Sequence, residues 1–325
     1  MIMLRRICAI ATACVIAALT GCVQIPQRVT GTTDPRPSMT GATATKLVKR
    51  YIALDNAAWE KLDPSRLSET ATGPELARQG HLMTIQKRIG GKDRPPHLPT
   101  DARYTVTSTP GGHYPALAVI SGFAEAEDAP DSFYLAERAS AADPWLISYS
   151  AGEDLNTFLP AVDKRERMFK PVGAKTKING VTAGRITDLL TDALRQPTAK
   201  VSKRFVANDS FNDAKAVPLD KKESAHQKRT FDYISVPWQQ AYRTGKGDLI
   251  VFGAFTRTTR YDYLDDYYTY FKSGYEKKLL PGKYSSLTYT SYCRYALRVP
   301  KKGKFAVQHM VWSLDDLTGS DYTSY

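Results

Sequence analysis

The stretch TKLVKRYIALDNAAWEKL, residues 45–62, decides the fold of the first half of the chain. Its large apolar residues recur at intervals of three or four, which places them on one face of an α-helix: Leu47, Tyr51, Leu54, Ala58 and Leu62. The spacing predicts a long amphipathic helix. Because such a helix must bury its apolar stripe, the sequence that follows has to supply a surface that covers it.

The following sequence predicts one more helix and then a sheet. The second helix is expected over residues 74–89, where Gly90-Gly91 ends it. From residue 101 the apolar period changes to two, and turn residues separate four predicted strands, at 101–108, 114–123, 132–139 and 145–150. Helices followed by successive antiparallel strands are typical of an α+β fold.

The second half of the chain repeats this order of elements. A helix is predicted through Ile186, Leu190 and Ala193, and strands are predicted at 230–241, 248–258, 285–299 and 304–314. The repetition is one of pattern and not of residue identity. It predicts two tandem α+β domains, at residues 42–158 and 178–325, joined by a basic linker at 159–177. Each domain is expected to fold separately.

The segment 51–76 contains an aromatic-bearing helix and then a short helix that begins at Asp63-Pro64. In this it resembles the opening of the nuclear transport factor 2-like (cystatin-like) superfamily. The resemblance covers about residues 42–158 and, less clearly, 178–318. It implies two tandem rolls, each with N-terminal helices packed on a curved antiparallel sheet. Isomerases, dehydratases and non-enzymatic binding domains all occur in that superfamily, and no catalytic residues carry over.

The N-terminus has the features of a secretory signal. Arg5 and Arg6 precede an apolar run at 7–19, and Leu19-Thr20-Gly21-Cys22 follows. The run is shorter than the roughly 20 residues that span a bilayer, so residues 1–21 are predicted to be cleaved. The ending resembles the lipobox of bacterial lipoproteins, which implies a diacylglyceryl group, of the palmitate kind, on Cys22.

A lipidated Cys22 would hold the protein on the extracytoplasmic face of the cell membrane. Residues 22–41 carry three prolines and no apolar period, and are predicted to form a flexible tether. With its lipobox, tether and tandem layout, the chain is similar to uncharacterised actinobacterial lipoproteins.

Composition excludes several classes of site. Of four cysteines, two leave with the signal and Cys22 takes lipid, so Cys293 cannot form an internal disulfide or a cysteine-based zinc site. Residues 166–325 hold 27 Lys and Arg against 16 Asp and Glu, a net charge of +11, whereas residues 41–165 hold 14 against 16, a net charge of −2. No nucleic-acid motif accompanies the basic excess, so nucleic acid is not an expected partner. The excess is either a solvated charged surface or a surface for anionic lipid or an anionic envelope polymer, and another envelope protein is the further alternative.

Two candidate sites lie in the second half. His309 alternates with Phe305, Val307 and Val311, which predicts that it faces the core or a pocket. The insert at 261–283 is rich in tyrosine, and its predicted helical stripe is Leu264, Tyr268, Phe271 and Tyr275. The insert is either a lid on its own sheet or a binding surface formed by Tyr267, Tyr268, Tyr270, Phe271 and Tyr275.

These patterns predict a non-enzymatic binding or accessory lipoprotein of the bacterial cell envelope. The alternative is an extracytoplasmic enzyme of the isomerase or dehydratase kind with a pocket around His309. No cofactor and no metal site is predicted. Glycine-rich phosphate loops and the motifs of serine hydrolases and zinc proteases do not occur in the sequence.

Overall fold

Two antiparallel four-stranded sheets, packed face to face, form the centre of the fold. The computed structural model describes residues 34–91, 103–123, 132–152, 168–244, 246–264 and 266–322. The signal segment, Cys22 and most of the tether lie outside these ranges. Helices and antiparallel sheets follow one another in each half, so the predicted α+β class is confirmed.

The first half supplies two helices and one of the sheets. Its elements are β1 (Asp34–Pro37), α1 (Gly41–Lys61), α2 (Gly73–Arg88), β2 (Arg103–Ser108), β3 (Pro110–Gly111), β4 (Ala116–Phe123), β5 (Ser132–Arg138) and β6 (Leu146–Gly152). The sheet order is β2-β4-β5-β6, and β1 pairs separately with β3. Both predicted helices and all four predicted strands are present.

Helix α1 begins four residues before its predicted start because Thr40 caps it. The Thr40 side chain accepts a hydrogen bond from the backbone N–H of Thr43 at 3.2 Å, which satisfies one of the free donors of the first turn. Leu62, in the left-handed conformation, ends the helix. The first part of the predicted stripe faces the sheet, where Leu47 and Tyr51 are buried against β4 and β5, and its last part, from Leu54 to Leu62, packs against α2.

The second half contains longer strands and shorter helices. Its elements are β7 (Lys177–Ile178), β8 (Val181–Thr182), α3 (Ile186–Arg195), α4 (Asp209–Ala214), β9 (Gln227–Arg243), β10 (Leu249–Tyr263), α5 (Gly274–Leu279), β11 (Tyr284–Val299) and β12 (Ala306–Asp321). The sheet order is β12-β11-β10-β9, and α3 lies against β9 and β10.

Each sheet is buried on both faces where the two sheets overlap. In the first sheet Ala118 and Ile120 face α1, while Leu117 and Val119 face the second sheet. In the second sheet the residues facing α3 alternate in the same way with residues facing the first sheet. The interface between the sheets is made by Leu117, Val119, Phe133, Leu135, Tyr149, Phe169, Tyr242, Ile250, Phe252 and Ala296. On the outer faces α1 covers the first sheet and α3 covers the second, whereas α2 lies at the edges of both sheets, against β6 and β12.

The last residues of the predicted tether and of the predicted linker are part of the folded structure. Residues 34–37 pair with β3, and Met39 is buried beneath them. At the other boundary Phe169 is buried between the sheets, and its ring lies 5.2 Å from that of Tyr242. The division into two separately folding domains remains a prediction, and the shared interface gives it a sharp test.

Candidate functional site

A buried charge network joins the two halves beside the sheet interface. Glu75, in the first turn of α2, is fully buried and contacts the guanidinium group of Arg294 on β11. The same carboxylate accepts hydrogen bonds from Arg78 at 2.9 Å, from Tyr51 at 2.8 Å and from Ser150 at 2.8 Å. Together with Nε2 of Gln79, which donates at 3.3 Å, five donors from four elements converge on one carboxylate.

The network holds Glu75 in its ionised form. Burial raises the pKa of Glu75, but the positive charges of Arg294 and Arg78 and the hydrogen bond from Ser150 outweigh it and hold that pKa well below its usual range. Since the charge of Glu75 is matched by its partners, the arrangement is that of a structural ion pair and not of a proton-transfer group.

His309 lies at the edge of this network, on a different face from the one predicted. Between Ala296 and Leu297 the pairing of β11 with β12 shifts by one residue, so Ala296 opposes His309 while Leu297 opposes Val307. This β-bulge turns His309 away from Phe305 and Val307, which lie in the core beneath α3. The prediction that these three side chains share a face was wrong, because a bulge reverses the alternation that the sequence implies.

The imidazole of His309 is engaged with a tyrosine from the other half. Its Nδ1 lies 2.6 Å from the hydroxyl oxygen of Tyr149, and the guanidinium carbon of Arg294 lies 4.9 Å from the centre of the Tyr149 ring. Burial, and then the charge of Arg294, lower the pKa of His309 to about 4. The histidine is therefore neutral near pH 7 and sits in a contact between the halves.

Cys293 has the role of a core residue. It is fully buried in the cluster beneath α3, and burial raises the pKa of its thiol well above the usual value. A thiol in this setting is unreactive at neutral pH.

The tyrosine-rich insert does not form the predicted helix. Residues up to Tyr263 extend β10, and Thr269 pairs with Tyr284 through two backbone hydrogen bonds of 3.0 and 2.9 Å. Only α5, residues 274–279, is helical. The prediction was wrong because an apolar spacing of three and four was read without regard to the weak helix propensity of Tyr, Thr and Asp. Residue 265 of the insert lies outside the described residues.

The insert exposes its tyrosines nevertheless. The exposed fractions are 46% for Tyr267, 38% for Tyr268, 49% for Tyr270 and 42% for Tyr275, whereas Phe271 is half-buried. The ring of Tyr268 lies 6.3 Å from that of Tyr270 and 4.8 Å from that of Tyr322. We call Tyr267, Tyr268, Tyr270 and Tyr275 the tyrosine surface.

Sequence reasoning missed a cavity of about 370 Å³ between the two halves. The first half contributes Glu137, at the end of β5, and residues of the turns around it. The second half contributes the segment 237–240 of β9. The cavity is lined by Thr72, Pro115, Glu137, Ala139, Asp143, Pro144, Leu146, Pro237, Trp238, Gln239 and Gln240. Its volume lies in the range of small-molecule pockets.

A β-bulge in β9 places two residues in the wall of this cavity. Gly253 pairs with Gln239 but Phe255 pairs with Ser235, so β9 carries extra residues opposite Ala254. Pro237 and Trp238 lie in the bulge. Proline inside a long strand marks a bulge, because it cannot donate to the ladder, and Pro237 was therefore the available sequence signal.

Metal binding and membrane spanning find no support within the described residues. No group of three or more His, Cys, Asp or Glu in those ranges could hold a metal ion. None of the described helices is long and apolar enough to cross a bilayer.

The fold and these sites define an α+β protein in which two antiparallel four-stranded sheets pack face to face. A family model, the domain of unknown function DUF8094, matches residues 35–314, so the chain belongs to that family. The match spans both halves and includes the interface between them. Comparison with curated proteins found no match, and comparison with solved structures found none.

Proposed function

We propose that the protein is a lipoprotein of the cell envelope, anchored through Cys22, which binds an anionic envelope polymer and does not act as an enzyme. The basic head, apolar run and Leu-Thr-Gly-Cys ending at residues 19–22 support the anchor. Two tandem rolls of the nuclear transport factor 2-like kind are part of this proposal. Helices packed across antiparallel sheets support the rolls.

The tyrosine surface is the observation that carries the binding role. Of the seven large hydrophobic residues exposed in the described chain, four are its tyrosines. Such a concentration of exposed apolar area in one insert is typical of an interaction site. Tyrosine also combines a flat apolar ring with a hydroxyl group, so it packs on sugar rings or polymer chains while remaining soluble.

Basic side chains lie beside these rings. The ammonium group of Lys283 lies 4.4 Å from the centre of the Tyr268 ring, and Lys272 and Lys277 are exposed in the same insert. With the net charge of +11 in residues 166–325, they favour a partner that carries negative charge. An anionic polymer with sugar or polyol units meets both requirements.

The isomerase or dehydratase alternative has weaker support. An acid–base residue needs a pKa near the working pH and room for substrate beside it. His309 has a pKa of about 4, its Nδ1 is engaged with Tyr149, and it does not line the described cavity. Its surroundings favour a structural role.

The anchor is tested by Cys22→Ser. The variant is expected to lose lipidation and to leave an unprocessed precursor or a released form, because a hydroxyl group does not replace the thiol in this modification. Detergent partitioning and the mass of the processed N-terminus measure it, with Cys293→Ser as the matched control. Unchanged partitioning of Cys22→Ser would remove the anchor from the proposal.

Polymer binding is tested on the double variant Tyr268→Ser, Tyr270→Ser. Co-sedimentation with anionic wall polymer is expected to weaken about thirtyfold, since two aromatic contacts of about 1 kcal/mol each are lost. Binding of the unaltered protein should also weaken between 0.1 and 1 M salt, over which the Debye length falls from about 10 to about 3 Å.

Ile234→Ser is the matched control, because Ile234 is 58% exposed on β9 and lies outside the insert. Its binding should equal that of the unaltered protein. Equal loss in both variants, or binding by the unaltered protein that ignores salt, would contradict a polymer site at the tyrosine surface. Retention of a purified envelope protein in place of the polymer would assign the surface to a protein partner.

A further inference from the structure

The cavity between the halves has an unusual charge balance. Two carboxyl groups line it, those of Glu137 and Asp143, and none of the described lining residues is Lys, Arg or His. Arg138, beside Glu137 on β5, lies next to the turn that forms one wall, where its guanidinium group is engaged with backbone carbonyls: its Nε donates to that of Asp143 at 2.7 Å. A mostly buried carboxylate without a cation is costly, so the cavity lacks a positive charge that a ligand can supply.

Gln240 supplies a hydrogen-bond acceptor that lacks a donor in the described part of the chain. Its Nε2 donates to Oε2 of Glu137 at 2.8 Å, which fixes the orientation of the amide and turns its carbonyl oxygen, Oε1, away from the carboxylate. Gln240 is only 4% exposed, and Oε1 has no hydrogen-bond partner among the described residues. A buried acceptor without a donor is rare in folded proteins, and a ligand N–H group would satisfy it.

The remaining walls suit an organic group. Pro115, Pro144, Pro237 and Leu146 are apolar, and Trp238 presents an aromatic ring. The indole is held in place by helix α2, because a Cβ added to Gly73 would lie 3.1 Å from its Nε1. An aromatic ring beside a carboxylate attracts a cation through its π-electrons.

We propose that this cavity binds a small organic ammonium ion, a primary or secondary amine with an apolar body. Its N–H groups would donate to the carboxylate of Glu137 and to Oε1 of Gln240, while its body packs on the prolines and Trp238. A quaternary ammonium ion has the charge but no N–H, so it fits less well. The site shares no residue with the tyrosine surface, and it does not depend on the proposed function.

The charge on Glu137 also predicts how the affinity for the amine changes with pH. Burial raises the pKa of Glu137, and the hydrogen bonds from Gln240 and Trp238 oppose that shift only in part. An aliphatic amine stays protonated throughout the acidic range. Acidification therefore neutralises Glu137 and leaves the ligand charged, so affinity falls as the pH is lowered.

Titration calorimetry on the full chain compares three probes of similar shape: 2-phenylethylamine, its N,N,N-trimethyl analogue and 2-phenylethanol. The primary amine is expected to bind most tightly, the trimethyl analogue less tightly and the alcohol least. Glu137→Gln should weaken binding of the primary amine at least about tenfold, since a hydrogen bond to a charged group contributes this much. It should also remove the pH dependence.

Gln240→Met keeps the length of the side chain and removes the acceptor, so it should bring the affinities of the primary and trimethyl amines together. Glu60→Gln, an exposed carboxyl group on α1, is the matched control and should leave all three affinities unchanged. Circular dichroism checks that each variant is folded. Absence of binding by the primary amine, equal binding of the alcohol, or full affinity in both Glu137→Gln and Gln240→Met would overturn the proposal.

Discussion

Replacing Glu75 by Gln is expected to reduce the free energy of unfolding by about 3–5 kcal/mol, since it leaves a buried charge without its partner. The charge left behind is that of Arg294, which is 2% exposed and lies on β11, 219 residues away in sequence. Arg78 loses its nearest carboxylate at the same time. The substitution keeps the shape of the side chain, so the loss is electrostatic.

Equilibrium unfolding in urea at pH 7 measures this effect. The pH dependence gives a second measurement. Because the folded pKa of Glu75 lies below its ordinary value of 4.5, the stabilisation is complete above that value and is lost as the pH falls below it. The unaltered protein should therefore lose stability below pH 4.5 more steeply than Glu75→Gln does.

Glu69→Gln is the control, because Glu69 pairs with two exposed arginines, Arg50 and Arg66. Exposed ion pairs contribute about 0–1 kcal/mol, so this variant should remain close to the unaltered protein. The double variant Glu75→Gln, Arg294→Met no longer contains the unpaired charge of Arg294. Its free energy of unfolding should therefore fall by less than the sum of the decreases in the two single variants. Strictly additive losses would show that the two residues do not stabilise each other.

The local elements of this fold could be predicted because their signals are local. The spacing of Leu47, Tyr51 and Leu54 specifies α1 without knowledge of its partner, and the change to a period of two marks the strands. An observed helix boundary differs from the predicted one where a capping residue sets it, as Thr40 does for α1. The strand order followed from short connections between neighbours, since successive strands joined by short turns pair with one another.

Packing between the halves was not predicted, although part of its signal is in the sequence. Residues 116–120 and 249–252 are continuous apolar runs, and a strand with one solvated face would alternate instead. Such runs indicate strands covered on both sides, which here means a helix on one face and the other sheet on the opposite face.

The sites could not be predicted because they depend on β-bulges and long-range contacts, which leave no pattern in the sequence. A single extra residue at Gln308 turned His309 to the other face of its sheet. The pairing of Glu75 with Arg294 joins residues whose separation in sequence gives no hint of contact. Glu137 and Gln240 meet because Gln240 pairs with Phe252, which lies in the interface between the two sheets.

The packing between the sheets leads to the second large expected effect, that of Phe252→Ala. The ring of Phe252 lies 5.6 Å from that of Phe133 and 5.0 Å from that of Tyr149, both in the first half. Its removal is expected to lower the free energy of unfolding of the full chain by about 3–5 kcal/mol, because the surrounding rings cannot fill the cavity that is left. In a fragment of residues 178–325 the same side chain would face solvent, and its removal should cost less than about 1 kcal/mol.

Phe255→Ala is the matched comparison, since Phe255 lies three residues further along β10 on the opposite face. Its ring neighbours are Tyr233, Tyr295 and Trp312, all in the second half. The cost of Phe255→Ala should therefore be similar in the full chain and in the fragment, provided that the core beneath α3 closes on its own. Urea unfolding of the four variants with their parents tests both statements. A fragment that does not unfold cooperatively would contradict the division into two domains, and an equal cost of Phe252→Ala in fragment and full chain would contradict a stabilising interface between the sheets.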